Sequence, residues 1–411
     1  MQKVNFYLDK ISLFLIASLP IALLIGSGVS EIIGILIVAI FIMISFYNKN
    51  FNWLCDKYFL LLLLIWISLL LNLLFSENFF SSFFRNFFFF KNIILIFAIV
   101  FILNNQKNLN LIFTIYLLIT LIVSVDIFLE YFSGANLLGF KSYDPNRIAS
   151  FLKKELKIGH YILGFSFIGI GYYLEQYSGK SLKYKIFGSF LIIFFFTSLL
   201  LTGERTNILK GFFIILLFIA LSPKKNIKYK KNFFSLIILL LISVYIFSER
   251  IKHRFNVILY PIENQGVIET FKETQHAAHF YTAVEIFKKY PLFGVGNKNF
   301  REECLKDEYH NNNYKRIQER CSTHPHQIYL EFLSEHGLIG TITIISVIFF
   351  ILIKSVKIYL RKKNLIHLSS ILFITAQFLP LIPSGSFFTS WNATIFWLNF
   401  SILIFYNSKT R

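Results

Sequence analysis

The chain has 411 residues, 55% of them hydrophobic and 18% aromatic, with a formal net charge of +19 and a mean hydropathy of +0.61. This excludes a soluble globular protein, because Phe, Ile and Leu come in apolar runs of roughly 17 to 25 residues, the length a helix needs to cross about 30 Å of hydrocarbon. The basic residues lie mainly in short loops between those runs, which reads as orientation by the positive-inside rule and not as a nucleic-acid surface.

The apolar runs predict twelve spanning helices, at 11–27, 31–47, 58–75, 87–103, 109–132, 159–176, 185–201, 207–221, 233–248, 327–353, 365–383 and 390–406. The first follows Lys3 and Lys10 without a small-residue cleavage site, so it reads as a retained helix. Alternate loops carry the cations: Lys49 and Lys57, then Lys107, then Lys180, Lys183 and Lys185. Lys224, Lys225, Lys228, Lys230 and Lys231 come next, and then Lys354, Lys357, Arg361, Lys362 and Lys363. All fall on one side with both termini, Lys409 and Arg411 included, and that side is expected to be cytoplasmic.

The opposite loops then face outward: 76–86, 133–158, the tip 202–206, and a long loop at 249–326. The chain divides into nine helices over 1–248, that loop with its amphipathic helices, and three helices over 327–411. The expected fold class is an all-α polytopic membrane protein. A nine-plus-three arrangement, with ionisable residues gathered at the outer face, breaks the two-fold symmetry that a transporter would show.

Cys304 and Cys321 both lie in the outward loop, where an oxidising compartment would allow them to pair. Such a bridge closes a loop worth about 3 kcal/mol in the chain-entropy model. No CxxC spacing accompanies them, which argues against a metal site.

Three polar stretches carry chemistry. Residues 323–340 read THPHQIYLEFLSEHGLIG and put His324 and His326 around a proline, where a polar segment re-enters an apolar helix. An imidazole there is a candidate proton acceptor, because its ordinary pKa lies near neutrality. The tip 202–207 (TGERTN) sets Glu204 and Arg205 where a helix meets water. Arg205 can snorkel or pair with Glu204, or it can grip a phosphate with its fork of donors.

The third stretch, 275–301, places Tyr281, Val284, Phe287 and Lys288 on a helical period, an amphipathic helix stopped at Tyr290 and Pro291. Gly294 and Gly296 then make a turn where backbone can approach closely. His276 and His279 sit one helical turn apart on that helix, with His253 nearby, but no Asp or Glu spacing completes a metal site.

These residues resemble the O-antigen ligase and O-antigen polymerase superfamily. His326-Gln327, nine residues, Gly337, two residues and Gly340 form its H-[NSQ]-x9-G-x-x-G pattern, and the 202–207 tip and the run from Pro291 to Phe300 match two further stretches. The resemblance implies a GT-C-like helical fold and a metal-independent membrane glycosyltransferase needing no cofactor. It would act at the periplasmic face of the bacterial inner membrane.

Its donor would be a glycan on undecaprenyl pyrophosphate. The acceptor would be lipid A-core for a ligase, a second lipid-linked repeat unit for a polymerase, or a protein hydroxyl. His326 would deprotonate the acceptor hydroxyl and Arg205 would bind the leaving pyrophosphate, with Gln327, Glu204 and His324 as neighbouring substrate contacts.

The chain departs from the family at one place. An Arg followed four residues later by Trp is usual near the start of the helix before the Pro-Gly turn, and here His276 and Phe280 stand in that register. His279 and Arg301 are the alternatives for the second phosphate contact. Arg85, Lys91, Arg147, Lys153 and Lys154 are further outward or near-outward cations that could line an anionic lipid path, though interfacial anchoring is the simpler role for most of them.

Overall fold

The computed structural model describes residues 2–177, 181–223 and 227–409, so the loop cations Lys180, Lys224 and Lys225 and the terminal Arg411 lie outside the described residues. All regular structure among the described residues is helical. The helices run α1 (Gln2–Ile25), α2 (Ser27–Tyr47), α3 (Lys57–Leu73), α4 (Phe79–Phe88), α5 (Phe90–Leu103) and α6 (Gln106–Ser133). They continue as α7 (Ile158–Tyr177), α8 (Leu182–Leu201), α9 (Arg205–Leu221), α10 (Ile227–Phe247), α11 (Glu249–Gln265) and α12 (Val267–Lys272). Last come α13 (Gln275–Lys289), α14 (Phe300–Glu303), α15 (Ile328–Lys362), α16 (Leu365–Gln377) and α17 (Ser390–Ser408).

A helix occupies each of the twelve expected stretches. By length and apolar composition six spans among the described residues are able to cross a membrane, α4 and α5 together making one of them. A seventh is added if the pair α10–α11, bent by 93°, counts as one. The rest are short or enclosed. α3 and α16 have 17 and 13 residues, whereas about 20 are needed to span hydrocarbon. α7 and α17 are long enough but not apolar enough on average, and both are buried among the other helices along most of their length. The protein is thus an all-α polytopic membrane protein.

α7 forms the axis of the packing, against α6, α8 and α16, while α17 lies against α5 and α2. Small residues make these approaches possible. A Cβ added at Gly164 or Gly171 would fall 2.3 Å from Ile395 or 2.4 Å from Ser369.

α15 is broken at Gly337, whose φ of 62° and ψ of −167° belong to a region essentially reserved for glycine. The break exposes backbone groups, and the Pro291–Phe300 run docks into it. Leu338 N donates to Pro291 O at 2.8 Å and Ile339 N to Leu292 O at 3.1 Å. In return Val295 N donates to Ser334 O at 3.0 Å and Gly296 N to Glu335 O at 2.9 Å. A Cβ on Gly337 would fall 2.4 Å from Leu292 backbone, and one on Gly294 (φ 70°) 2.4 Å from that of Glu335. The glycines of the two matched stretches therefore serve one joint, which locks the outer loop onto α15 immediately after His326. Gly337→Ala or Gly294→Ala should cost about 2 kcal/mol or more through the positive φ and the backbone clash. A lowered melting midpoint in detergent checks this, and an unchanged midpoint would refute it.

Cys304 and Cys321 form a disulfide with Cα atoms 5.3 Å apart, pinning the segment that leads to His324 and His326. α13 packs on α15, and its buried side chains are Ala277, Ala278, His279, Thr282, Ala283 and Ile286. The Tyr281, Val284 and Phe287 stripe is only half-buried, with Tyr281 against Tyr314 at 4.7 Å.

Candidate active site

At one end of the bundle the tip 202–207, the 133–158 loop, α11, α13, the start of α15 and the turn before α17 converge on a cavity of about 720 Å³. His326 and Arg205 both line it. So do Arg85, Arg147, Lys157, Lys210 and Arg254, whereas among the described residues the only carboxylates on the wall are Glu155 and Glu204. Glu155 is paired to Lys157 at 3.3 Å. The wall is therefore strongly cationic, and such a cleft concentrates anions.

His326 is held by its backbone and by its ring. Its φ of 60° is left-handed, uncommon for a residue with a side chain, and strain of this kind gathers at functional sites. The conformation is fixed from outside: Ser384 N donates to His326 O at 2.8 Å. The ring Nε2 lies 2.9 Å from Ser322 Oγ. Gln327 turns away to cap α15, its Oε1 accepting from Leu330 N at 2.8 Å, so the chain enters the helix directly after the base candidate.

Three further imidazoles surround this ring. His324 lies 4.1 Å away, His279 5.1 Å and His276 5.7 Å between ring centres. His324 is itself fixed, its Nδ1 2.9 Å from Thr323 Oγ1 and its Nε2 3.3 Å from Ser384 O. Burial, then the neighbouring imidazoles, lower the His326 pKa to about 3. Burial first also lowers His279 and His324 to about 4, and His276 in the same direction. Each shift favours the neutral ring. Among the described residues no group of three or more His, Cys, Asp or Glu is arranged to hold a metal ion.

On the facing wall Arg205 opens α9, its Nη1 donating to Arg254 O at 3.0 Å, while Arg254 Nε donates to Gly203 O at 3.3 Å. The bend at Ser248 swings α11 across the end of the bundle and brings Arg254 there. Arg147 joins them on the 133–158 loop, which is tied to the tip by Ile148 N donating to Thr202 O at 3.2 Å. Burial, then Arg254 and Arg147, lower the Arg205 pKa to about 10, which leaves it a cation. Three guanidiniums thus cluster in a partly buried wall, an arrangement suited to an anion.

Glu204 does not neutralise it by an ion pair. Its carboxylate accepts from Gly159 N at 2.7 Å and Asn207 Nδ2 at 2.6 Å, tying the tip to the start of α7. Burial pushes its pKa up to about 7.

Of the residues expected from sequence, His326, His324, His276, Arg205 and Glu204 meet at the cavity. His279 is buried behind it against the His326 ring. Arg301 is off the wall, its Nη2 3.3 Å from Thr323 O, bracing the His segment from outside. His253 is not part of the imidazole cluster, and His336 packs 4.9 Å from Phe388. Arg254 was missed from sequence. Its signal was a basic residue three places beyond an apolar Ile251 on an amphipathic helix, which only the bend makes useful.

Residues 190–345 match the family model described as O-antigen ligase, a stretch that holds the Arg205 tip, Arg254, all four imidazoles and the broken helix. The resemblance drawn from the three motifs is borne out over that region. No curated protein matches the chain.

Proposed function

We propose, from the O-antigen ligase region at 190–345, that this protein is a ligase-like membrane glycosyltransferase moving a glycan from undecaprenyl pyrophosphate to an acceptor hydroxyl at the periplasmic face of the inner membrane. The observation that carries the reading is a neutral, braced imidazole and a cluster of guanidiniums lining one cavity. The acceptor oxygen attacks the anomeric carbon, its proton passes to His326, and the bond from that carbon to the pyrophosphate oxygen breaks. Undecaprenyl pyrophosphate leaves with its charge held by Arg205, Arg254 and Arg147.

The tautomer that suits His326 has Nε2–H donating to Ser322, because it leaves the Nδ1 lone pair free. Arg254, not Arg301 or His279, supplies the second phosphate contact in this reading, since it adjoins Arg205 on the wall. That arrangement accounts for His276 standing where the family usually has Arg.

The acceptor is lipid A-core in the preferred reading. Lipopolysaccharide gels of a deletion strain test it: loss of all O-chain with accumulation of lipid-linked polymer is the expected result. A core bearing a single repeat unit would instead assign the polymerase reaction.

The pH dependence follows from the shifted groups. The His326 ring is lowered from 6.5 to about 3, so it stays unprotonated as pH falls through 6.5 and the base is lost only well below that. kcat/KM, which reports free-enzyme groups, should therefore show no imidazole limb between pH 5.5 and 8. Glu204, raised to about 7, takes up a proton as pH falls through neutrality. Any limb near pH 7 should therefore vanish in Glu204→Gln. A limb near 6.5 that persists in that variant would contradict the assignment of a buried neutral base.

A further inference from the structure

α4 is an amphipathic helix turned inside out. Its sequence, FFSSFFRNFF, buries Ser82 and Asn86 and exposes phenylalanines. Ser82 Oγ donates to Asn297 O at 2.7 Å, and Asn86 exchanges hydrogen bonds with Leu69, Asn72 and Asn297. Phe80, Phe84 and Phe88 are 78%, 64% and 56% exposed, and Phe84 and Phe88 stack with rings 4° from parallel. A helix with this polarity faces lipid.

Behind that aromatic face lies a second cavity of about 550 Å³, running between α4 and the start of α17. It also admits charge. Lys298 and Arg85 line it, together with Lys91, which is paired to Glu31. Arg85 is on the wall of both this cavity and the one that holds His326, so the two spaces meet at its side chain.

Its guanidinium makes no hydrogen bond to protein among the described residues. Glu331 and Glu335 interact with it electrostatically, but their carboxyl oxygens accept from other groups. Glu331 accepts from Ser386 Oγ and Phe387 N, and Glu335 from Lys298 N at 2.9 Å and Phe300 N at 3.3 Å.

We propose that this second cavity binds the acceptor as an acyl-chained lipid with a phosphorylated headgroup: chains on the α4 phenylalanines, phosphate on Arg85 and Lys298. The headgroup sugar then projects past Arg85 into the first cavity, toward His326. Aromatic walls without cations would suit a chain alone, and cations without aromatic walls would suit a soluble anion. The two together, opening to lipid at one end and to the base at the other, fit an amphipathic acceptor. This rests on the transferase reading for the word acceptor, though not for the binding itself.

The test uses the full-length protein in phosphatidylethanolamine nanodiscs doped with a photoreactive diazirine-acyl phosphatidic acid, or with the matching phosphatidylcholine. After photolysis, peptides covering α4 and the start of α17 should carry the phosphatidic acid label in roughly tenfold excess. Arg85→Gln should bring labelling down to the phosphatidylcholine level. Phe84→Gln should also lower labelling, by taking one aromatic ring from the mouth without adding a charge at a lipid-facing position.

Equal labelling by both probes, or labelling indifferent to both substitutions, would overturn the proposal. Displacement of the label by undecaprenyl phosphate would also overturn it, by assigning the cavity to the donor chain. Labelling as expected in a protein that transfers no glycan would retain the lipid site and fail the transferase reading. Transfer without labelling would do the reverse.

Discussion

Replacing His326 with Ala or Asn should lower glycan transfer by roughly 10²- to 10⁴-fold, the usual worth of a positioned general base, while leaving a folded, membrane-inserted protein. The pair is needed because His326 has φ 60°, and any loss in the Ala variant could be blamed on the backbone. Asn tolerates the left-handed region far better than most residues. The Ser384 N to His326 O hydrogen bond is a backbone contact that both variants keep. Asn can also reach toward Ser322 but has no basic nitrogen. Equal loss of activity with an unchanged melting midpoint therefore isolates proton transfer.

His324, 4.1 Å away, is the nearest substitute base, but its two ring nitrogens already face Thr323 and Ser384. His324→Ala should therefore cost much less than His326→Asn, through loosened packing of the ring beside it. Wild-type transfer by purified His326→Asn would remove His326 from the reaction and leave the imidazole cluster a structural feature.

Much of this site was legible from spacing because local chemistry determined it. The step from polar sequence into an apolar run places His326 at a helix entrance, and Gln327 is a competent cap for such an entrance. The tip 202–207 comes at the end of a strongly apolar run, so Arg205 had to emerge at a bundle end. Gly294 and Gly296 read correctly as a turn of close backbone approach, yet what they approach was invisible. The receptor is the gap in α15 at Gly337, more than 40 residues further on, and only the packed pair shows why both stretches need glycine.

The imidazole cluster was illegible for the same reason. His276 and His279 lie about 50 residues before His326, and nothing in a helical period points one histidine at another across α13 and α15. Period alone also picked out only one face of α13: the Tyr281, Val284 and Phe287 stripe is half-buried, and the fully buried face is the one carrying Ala278, His279 and Thr282. Arg85 read as no more than one of several outward cations, because the buried Ser82 and Asn86 that turn α4 over are too few to register in hydropathy.

Arg205→Gln and Arg254→Gln should each weaken transition-state binding, Arg205→Gln by roughly 10²- to 10³-fold, the range seen when one preorganised donor to developing charge is lost. Both side chains lie on the cavity wall, but they differ in what else they hold. Arg205 Nη1 reaches the carbonyl of Arg254, and Arg254 Nε reaches that of Gly203, so each guanidinium spends one donor on the other's support and keeps the rest for a ligand.

Removing either side chain loosens its neighbour. The double variant should therefore fall short of the product of the single effects, as residues that share a network do. Arg205→Lys should rescue little, because an ammonium restores the charge and not the planar fork that meets two phosphate oxygens. Single-turnover transfer and the affinity for undecaprenyl pyrophosphate, measured together, separate product-charge stabilisation from folding, since a merely structural lesion would not follow the pyrophosphate affinity. Arg301→Gln is the control: it is off the wall and should lose less than either. Should Arg301→Gln lose transfer and pyrophosphate affinity while Arg254→Gln retains both, the second cation would belong to the long loop beside the disulfide and the clamp drawn across α9 and α11 would be wrong.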